Sequence, residues 1–265
     1  MCRLAGYVGS EPRTLASLVF DPSHSLEHAA YAPREMLSGH VNVDGTGVVW
    51  WEKPSSEPLR YVTDRPPWSD PNLSHLAPRL RGSTILAAVR SATPGIGFGV
   101  SNVAPFVEAG LAGVHNGWIG DFKGEVGHDL VARLSGERFG RLGALNDSLV
   151  LFSLVAQTFE DHPGSTLVDA VAETIRVVSK QVVAAGERAA LNLVVAADGQ
   201  MVACRASVDY GLNSLYVREA GSGFLVASEP LDDEESWTSL DKHTLTVLDP
   251  TGVESHHLDH EGAGR

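Results

Sequence analysis

The sequence predicts one α+β domain in which helices cover antiparallel sheets, and three observations lead to this fold class. Apolar runs of strand length occur at both ends of the chain, two consecutive amphipathic helices lie between them, and the regular strand-helix alternation of a parallel sheet is missing. The 265 residues contain no internal repeat and no linker. We therefore expect a single domain over residues 1–255 and a poorly ordered tail over 256–265.

The first half of the chain predicts three strands and one short helix. The run LAGYVGS ends in turn residues and predicts a strand, after which Leu15, Leu18 and Val19 share one face of a helix. Two further strands are predicted in VNVDGTGVVWWEKP and STILAAVR. Between them, six prolines fall within residues 53–78. So many prolines predict a loop-rich insert without regular structure, either a lid over the site or a simple loop.

The second half is more regular. NDSLVLFSLVAQTF and STLVDAVAETIRVVSKQVVAAG predict two consecutive helices with apolar faces. Three turn signals then separate pairs of apolar runs: Asp198-Gly199, the Gly-Ser-Gly at 221–223, and Pro250 with Gly252. The end of the chain is therefore predicted to form an antiparallel sheet of hairpins.

Composition and charge argue against several classes of function. Thirty-three acidic and 20 basic residues give a net charge of −13, and such a surface repels phosphate backbones and anionic lipids. No apolar run is long enough for a membrane span, and the two cysteines stand in no metal-ligand spacing. The start of the chain lacks the features of a secretory signal. We expect a cytoplasmic protein that needs no metal, cofactor, nucleic acid or membrane.

The position of Cys2 suggests chemistry. A cysteine beside a strand is most often a small buried apolar residue, and we expect Cys204 to be one. Removal of Met1 would instead leave Cys2 with a thiol and a free α-amino group on the same residue. Because α-amino groups titrate close to neutral pH, such an amine can accept the thiol proton and later return it to a leaving amine. Cys2 is therefore a candidate nucleophile for acyl transfer.

Five separated segments in the first half of the chain carry a family pattern. They are, in chain order, MCRLAGYVG, NVDGTGVVWW, AAVRSATPG, GVHNGWIGDF and LNDSL. In this order they resemble the class II glutamine amidotransferases, which are N-terminal nucleophile hydrolases. The resemblance implies a four-layer αββα sandwich of two antiparallel sheets, with Cys2 as nucleophile and with the Asn116 amide and the Gly117 N–H as oxyanion hole. It further implies that Arg90 binds the α-carboxylate of a γ-glutamyl group and Asp147 its α-ammonium.

Each motif also has an ordinary structural explanation. Arg90 could form a surface ion pair, and His-Asn-Gly could be a hairpin turn. Asn146 or Asp147 could cap the helix that begins with SLVLF. Three residues that neighbour the motifs are expected to line the substrate pocket or to pack beside it: Thr93, Trp118 and Ser148.

The resemblance implies a hydrolytic cycle for the function. Cys2 would attack the γ-carbonyl of a γ-glutamyl amide, and water would release glutamate from the resulting thioester. Since the terminal amine would serve as the base, we interpret His115 as a structural residue.

The amine half of the substrate is less constrained by the sequence. A chain of 265 residues is not expected to include a fused synthase domain, so it is a free-standing hydrolase or a glutaminase subunit with a separate partner. An inactive γ-glutamyl-binding module is the third reading. The motif details resemble most the branch of the family that acts in ergothioneine biosynthesis. That branch implies γ-glutamyl-hercynylcysteine sulfoxide as the small-molecule substrate and leaves the oligomeric state, including a homo-oligomer, open.

Overall fold

The structure is a computed structural model that describes residues 2–37, 39–52, 56–92, 97 and 99–262. Its strands are β1 (Arg3–Thr14), β2 (Thr46–Trp51), β3 (Leu59–Thr63), β4 (Arg81–Val89), β5 (Phe106–Glu108), β6 (Leu111–Ile119), β7 (Ala189–Ala197), β8 (Gln200–Arg205), β9 (Ser207–Val208), β10 (Tyr216–Glu219), β11 (Gly223–Ala227), β12 (Thr238–Ser239), β13 (Thr244–Asp249) and β14 (Gly252–His257). Its helices are α1 (Ala16–Val19), α2 (Leu26–Tyr31), α3 (Pro71–Leu76), α4 (Glu125–Val131), α5 (Gly136–Arg141), α6 (Asp147–Asp161) and α7 (Leu167–Ala184). Two 3₁₀ turns cover Pro67–Ser69 and Val100–Asn102.

The strands form two antiparallel sheets that pack face to face. Sheet A has the order β12-β10-β11-β1-β4-β2-β3, and sheet B has the order β14-β13-β8-β7-β6-β5, with β9 paired to β7. Helices α1 and α2 pack on sheet A, whereas α6 and α7 pack on sheet B. The layers are therefore helix, sheet, sheet and helix, and both the α+β prediction and the implied αββα sandwich are confirmed.

Side-chain alternation explains why the central strands read as continuous apolar runs. In β1, Leu4 and Val8 join the large core between the sheets, while Ala5 and Tyr7 join the smaller core under α1 and α2. Successive side chains of a strand point to opposite faces, so a strand buried on both faces needs apolar residues at every position. The run ILAAV at the end of β4 has this character.

The central position of β1 in sheet A places two of the predicted site residues next to each other. Strand β1 lies between β11 and β4, and its first residue, Arg3, is paired with Val89 at the end of β4. Cys2 directly precedes β1 and Arg90 directly follows β4. Because neighbouring strands lie about 4.8 Å apart, this register brings Cys2 and Arg90 together at one end of the sheet.

The long helices and the hairpins agree with the sequence, with one difference of arrangement. Helices α6 and α7 occur where two consecutive helices were predicted, and turns at the three predicted positions join β7 to β8, β10 to β11, and β13 to β14. However, the hairpin β10-β11 belongs to sheet A and the other two to sheet B. The expectation of one terminal sheet was therefore wrong, because a local turn signal does not determine which sheet a hairpin joins.

The proline-rich insert is more regular than predicted. Its described part contains β3, a 3₁₀ turn and α3, so the expectation of no regular structure was wrong. Pro67 and Pro71 stand at the first positions of the 3₁₀ turn and of α3, where the fixed φ of proline favours helix and the missing N–H costs nothing. No residue of 56–78 lines the cavity described below, so a lid role finds no support in the described part of the insert.

The predicted domain boundary at residue 255 falls inside β14, which continues to His257. Beyond this strand, Leu258 is buried, and Nδ1 of His243 lies 2.8 Å from Nε2 of His260. Residues 263–265 of the predicted tail lie outside the described residues. Throughout the described ranges, no helix combines the length and the apolar character that a bilayer crossing demands.

Candidate active site

A small cavity lies where the start of β1, the end of β4, the strand β6 and the start of α6 meet. It is lined by Cys2, Arg90, Ser91, Asn102, Ala104, Phe106, His115, Gly117, Asn146, Asp147 and Ser148. The lining includes residues from every one of the family motifs except NVDGTGVVWW. Of the predicted site residues, Asn116 and Trp118 are not part of this lining, and Thr93 lies outside the described residues.

Cys2 is half-buried at the edge of this cavity and is not part of a disulfide. Its carbonyl oxygen accepts a hydrogen bond of 2.9 Å from Nε of Arg3. Met1 lies outside the described residues, so the α-amino group that its removal would free is not described. The thiol is therefore placed among the motif residues, as expected of a nucleophile.

Asn116 is fully buried and belongs to β6, where it is paired with Asn192 of β7. The segment His-Asn-Gly is thus strand rather than hairpin turn. The side-chain oxygen Oδ1 accepts a hydrogen bond of 3.3 Å from Nη2 of Arg3, whereas Nδ2 has no partner among the described residues. Nearly all buried polar groups in folded proteins are hydrogen-bonded. The unpaired Nδ2 can therefore donate a hydrogen bond to an oxygen atom of a ligand.

Gly117 is required by close packing between β6 and β7. A Cβ atom at this position would overlap the carbonyl oxygen of Ala190 on β7 and would crowd the His115 ring. Glycine therefore lets the backbone at the cavity come closer to its neighbours than any other residue could.

Arg90 is almost fully buried, with an exposed fraction of 6%, and a surface ion pair is excluded. Its Nη2 donates a hydrogen bond of 3.0 Å to the carbonyl oxygen of Gly97, and Nη1 is buried without a partner among the described residues. A planar guanidinium with an unused donor beside a cavity is suited to bind a carboxylate.

The motif NVDGTGVVWW holds the backbone around Arg90. The Asp44 N–H donates to the carbonyl oxygen of Arg90 at 3.0 Å, and the Arg90 N–H donates to that of Gly45 at 2.8 Å. The Asp44 carboxylate also accepts a 2.7 Å hydrogen bond from the N–H of Ala92. This motif therefore positions the arginine without lining the cavity, a role that the sequence did not reveal.

Two neighbouring residues at the start of α6 have different roles: Asn146 caps the helix, and Asp147 lines the cavity. Asn146 is the N-cap, and its Oδ1 accepts a hydrogen bond of 2.7 Å from the N–H of Leu149. Asp147 is the first residue of the helix; its Oδ2 accepts from the N–H of Ile119 at 3.1 Å and its Oδ1 from that of Ser148 at 2.8 Å. Each carboxylate oxygen can accept more than one hydrogen bond, so the buried Asp147 retains capacity for a ligand cation.

His115 supports the cavity wall through both ring nitrogens. Its Nε2 lies 2.8 Å from the carbonyl oxygen of Ala190, which can only accept, so we assign the proton to Nε2. Its unprotonated Nδ1 lies 3.0 Å from the Ser148 hydroxyl, whose single proton is shared between this nitrogen and Oδ1 of Asp147 at 3.2 Å. Burial lowers the pKa of His115, against the opposing effects of the Asp147 charge and the Ala190 carbonyl. A neutral, fully bonded ring agrees with the structural interpretation of this histidine.

Trp118 does not line the cavity itself. Its ring meets that of Tyr210 edge to face at 5.1 Å and lines a neighbouring groove of about 890 Å³, which shares Asp147 with the cavity.

The described part of the chain contains no group of three or more His, Cys, Asp or Glu side chains arranged to hold a metal ion. Arg3 was not predicted as a site residue. The sequence feature that could have identified it is a single charge in the otherwise apolar run RLAGYV.

Comparisons with known proteins identify relatives over almost the whole chain. No family model matches it. The γ-glutamyl-hercynylcysteine sulfoxide hydrolase of Mycolicibacterium smegmatis is 32% identical over 94% of this chain and 96% of that protein. The protein of the same name from Mycobacterium tuberculosis is 31% identical over 98% of this chain and 97% of its own length.

Solved structures agree at the level of the fold. A glutamine aminotransferase class-II domain protein from Silicibacter pomeroyi matches with a TM-score of 0.72 and 24% identity, over 97% of this chain and all of that one. The glutamine phosphoribosylpyrophosphate amidotransferase of Bacillus subtilis matches with a TM-score of 0.65 and 18% identity, over 97% of this chain and 49% of that one. With the αββα sandwich and full-length relatives above 30% identity, the chain belongs to the family of the γ-glutamyl-hercynylcysteine sulfoxide hydrolases, on the class II glutamine amidotransferase fold.

Proposed function

We propose that this protein hydrolyses the γ-glutamyl amide bond of γ-glutamyl-hercynylcysteine sulfoxide and releases glutamate. This compound is the substrate given in the names of the relatives. The cavity supports γ-glutamyl chemistry independently, because it gathers a thiol, a guanidinium and a carboxylate.

The observation that carries the proposal is a pair of buried donors without partners, one on Arg90, which lines the cavity with Cys2, and one on Asn116, which lies between the lining residues His115 and Gly117 of β6. Nη1 of Arg90 and Nδ2 of Asn116 are both buried and unbonded among the described residues. Leaving such groups unbonded costs about 1–3 kcal/mol each, more for a charged group. A γ-glutamyl amide offers the two missing acceptors, a carboxylate for Arg90 and a developing oxyanion for Asn116.

Binding comes first in the mechanism. Arg90 holds the α-carboxylate of the glutamyl group, and the Asp147 carboxylate holds its α-ammonium. Fixing both ends of the amino-acid group places the γ-carbonyl against the Cys2 thiol, and good alignment of this kind lowers the barrier by several kcal/mol. Ser148 contributes to the wall of this glutamyl site, and the groove lined by Trp118 lies beside it.

Bond formation and bond breaking then follow. The freed α-amino group of Cys2 takes the thiol proton, and the sulfur attacks the γ-carbonyl carbon. The Asn116 Nδ2 and the Gly117 N–H stabilise the negative oxygen of the tetrahedral intermediate. The proton passes from the α-ammonium to the departing amine as the C–N bond breaks, which leaves a γ-glutamyl thioester on Cys2. Water, activated by the same amine, hydrolyses the thioester, releases glutamate and restores the thiol.

The test measures glutamate release from γ-glutamyl-hercynylcysteine sulfoxide and, separately, from glutamine. The variants are Cys2→Ala and Cys204→Ala, the second being a matched control because Cys204 is fully buried in β8, away from the cavity. We expect fast release from the sulfoxide that Cys2→Ala abolishes and Cys204→Ala retains.

Other outcomes would change the assignment. Preference for glutamine would indicate a glutaminase subunit that supplies a synthase. Binding of the sulfoxide without turnover would indicate a γ-glutamyl-binding module. Release undiminished in Cys2→Ala would exclude the N-terminal nucleophile mechanism.

A further inference from the structure

Arg3 is a buried charge next to the proposed nucleophile. Its side chain has an exposed fraction of 0%, and an uncompensated charge in the interior costs several kcal/mol. Its N–H groups have definite partners: Nε donates to the carbonyl oxygen of Cys2 at 2.9 Å, Nη1 to that of Glu35 at 3.4 Å, and Nη2 to Oδ1 of Asn116 at 3.3 Å. The guanidinium therefore touches both the peptide of the nucleophile and the oxyanion donor.

The carboxylates around Arg3 are themselves fixed. Burial lowers the pKa of the Arg3 guanidinium, and the charges of Glu229, Cys2 and Glu35 act in the opposite direction. Oε2 of Glu229 accepts from the N–H of Glu35 at 2.9 Å, and the Glu35 carboxylate accepts from the Tyr216 hydroxyl at 3.0 Å. This surrounding network explains how a buried arginine is tolerated here.

The contact with Asn116 selects one of two orientations of the amide. A side-chain amide has an oxygen at one end and an NH₂ group at the other, with nearly the same shape. A guanidinium has only donors, so Arg3 matches the oxygen end and opposes the NH₂ end. With Oδ1 held by Arg3, Nδ2 is left unbonded among the described residues, as an oxyanion donor must be before substrate binds.

We infer that Arg3 is a positioning residue that fixes the orientation of the Asn116 amide and ties it to the peptide of Cys2. The effect of this positioning on catalysis rests on the proposed function. Cys2 precedes β1 of sheet A and Asn116 lies on β6 of sheet B, so the two groups belong to different sheets. Arg3 bridges them because its donors are held in one rigid plane, whereas a lysine presents a single flexible ammonium group.

A double-mutant cycle tests the inference. We expect Arg3→Lys to lower kcat about 10- to 100-fold with little change in KM, because an oxyanion donor acts in the transition state. Asn116→Ala should lower kcat about 100- to 1,000-fold. The double variant should be no slower than Asn116→Ala alone, since Arg3 acts through Asn116. The control is Arg13→Lys, also on β1 but bonded to the carbonyl of Ala220, outside the cavity; its kcat should stay unchanged.

Losses that multiply in the double variant would overturn the inference while leaving the proposed function intact. The contact itself can be tested without activity or any Arg3 variant. A carboxylate at position 116 keeps an acceptor for Arg3 and adds charge attraction, so Asn116→Asp should unfold at a higher temperature than Asn116→Ala, although neither variant has the N–H donor. An Asn116→Asp midpoint at or below that of Asn116→Ala would show that Arg3 does not hold this side chain. A wild-type protein without turnover would contradict the proposed function, and the thermal comparison would still decide the contact.

Discussion

Of the two terminal nitrogens of the Arg90 guanidinium, Nη2 is already used by the Gly97 carbonyl and Nη1 is buried without a partner among the described residues. The used nitrogen fixes the plane of the group, and the unused one determines where a carboxylate oxygen can bind. At the scale of single residues, the γ-glutamyl recognition that we propose for Arg90 therefore depends on the shape of the guanidinium as well as on its charge.

Arg90→Lys is predicted to weaken substrate binding. An ammonium group keeps the charge but loses the planar pair of donors, and a charge-assisted hydrogen bond contributes about 1.5–3 kcal/mol. We expect KM to rise about 10- to 100-fold, measured with the γ-glutamyl substrate. The control is Arg81→Lys at the opposite end of β4, where the side chain bonds to the Pro12 carbonyl. A rise in KM of the same size in both variants would argue against a specific role of Arg90.

Gly117→Ala is predicted to destabilise the fold, because its Cβ would overlap the Ala190 carbonyl oxygen. Such overpacking costs about 1–3 kcal/mol in the free energy of unfolding, which urea denaturation measures. Gly140 in α5 has open space where a Cβ would be placed, so Gly140→Ala should instead stabilise by about 0.5–1 kcal/mol. Equal effects of the two substitutions would contradict the packing explanation.

The sequence contained much of the candidate site, though not its supporting residues. Cys2, Arg90 and Asp147 were predicted from motifs, and the structure places them around one cavity. Arg3 and Asp44 could not be assigned a role, because their partners are the Asn116 side chain and the Ala92 backbone, far away in sequence. Contacts of this kind follow from the packing of sheets and leave no local pattern.

At the scale of the elements, the start of α7 is held by a complete capping box. The Thr166 hydroxyl accepts from the N–H of Asp169, and the Asp169 carboxylate accepts from the N–H of Thr166. Helix α7 packs on α6 and on sheet B, so its first turn contributes to the outer layer of the sandwich.

Thr166→Ala is predicted to lower the free energy of unfolding by about 1 kcal/mol, the usual cost of losing an N-cap. Hydrogen bonds from Thr166 lower the pKa of Asp169. A carboxyl whose pKa is lower in the folded state stabilises the fold above its unfolded pKa, and this contribution is lost as pH falls through the folded pKa. The variant should therefore lose less stability than the wild type between about pH 6 and pH 3. Parallel pH profiles would show that the box does not influence Asp169.

Helix and hairpin positions were predictable because their signals are local. The caps of α6 and α7 and the turn at Asp198-Gly199 are each encoded within a few residues. The assignment of β10 and β11 to sheet A was not, since it depends on the pairing of β11 with β1. Within the insert, β3 was missed although Tyr61, Val62 and Thr63 favour strand, because the surrounding prolines outweighed this signal and the pairing with β2 is not visible in the local sequence.

At the scale of the whole molecule, the two thiols have contrasting environments. Cys2 is half-buried at the cavity, whereas Cys204 is fully buried in β8, and burial raises the pKa of the Cys204 thiol. Thiolates react with disulfide reagents, and a buried thiol is protected.

Titration with Ellman's reagent should therefore detect one reactive thiol in the native wild type and two after unfolding in guanidinium chloride. The Cys2→Ala variant should show none in the native state and one after unfolding. Reaction of both thiols in the native wild type at similar rates would mean that β8 opens readily and that the core is less stable than its burial indicates.

The pairing of β1 also has a consequence for the order in which the protein can be completed during synthesis. Strand β1 leaves the ribosome before the other strands of the two sheets, yet one of its neighbours is β11, with Ala5 opposite Ala227. Local contacts form quickly and distant ones slowly, because closing a long loop costs entropy. The strand that follows the thiol therefore lacks one of its two partners until most of the chain has been translated. Cys2 is therefore translated before every strand of both sheets, and the strand that follows it is fully paired only after β11 has been made.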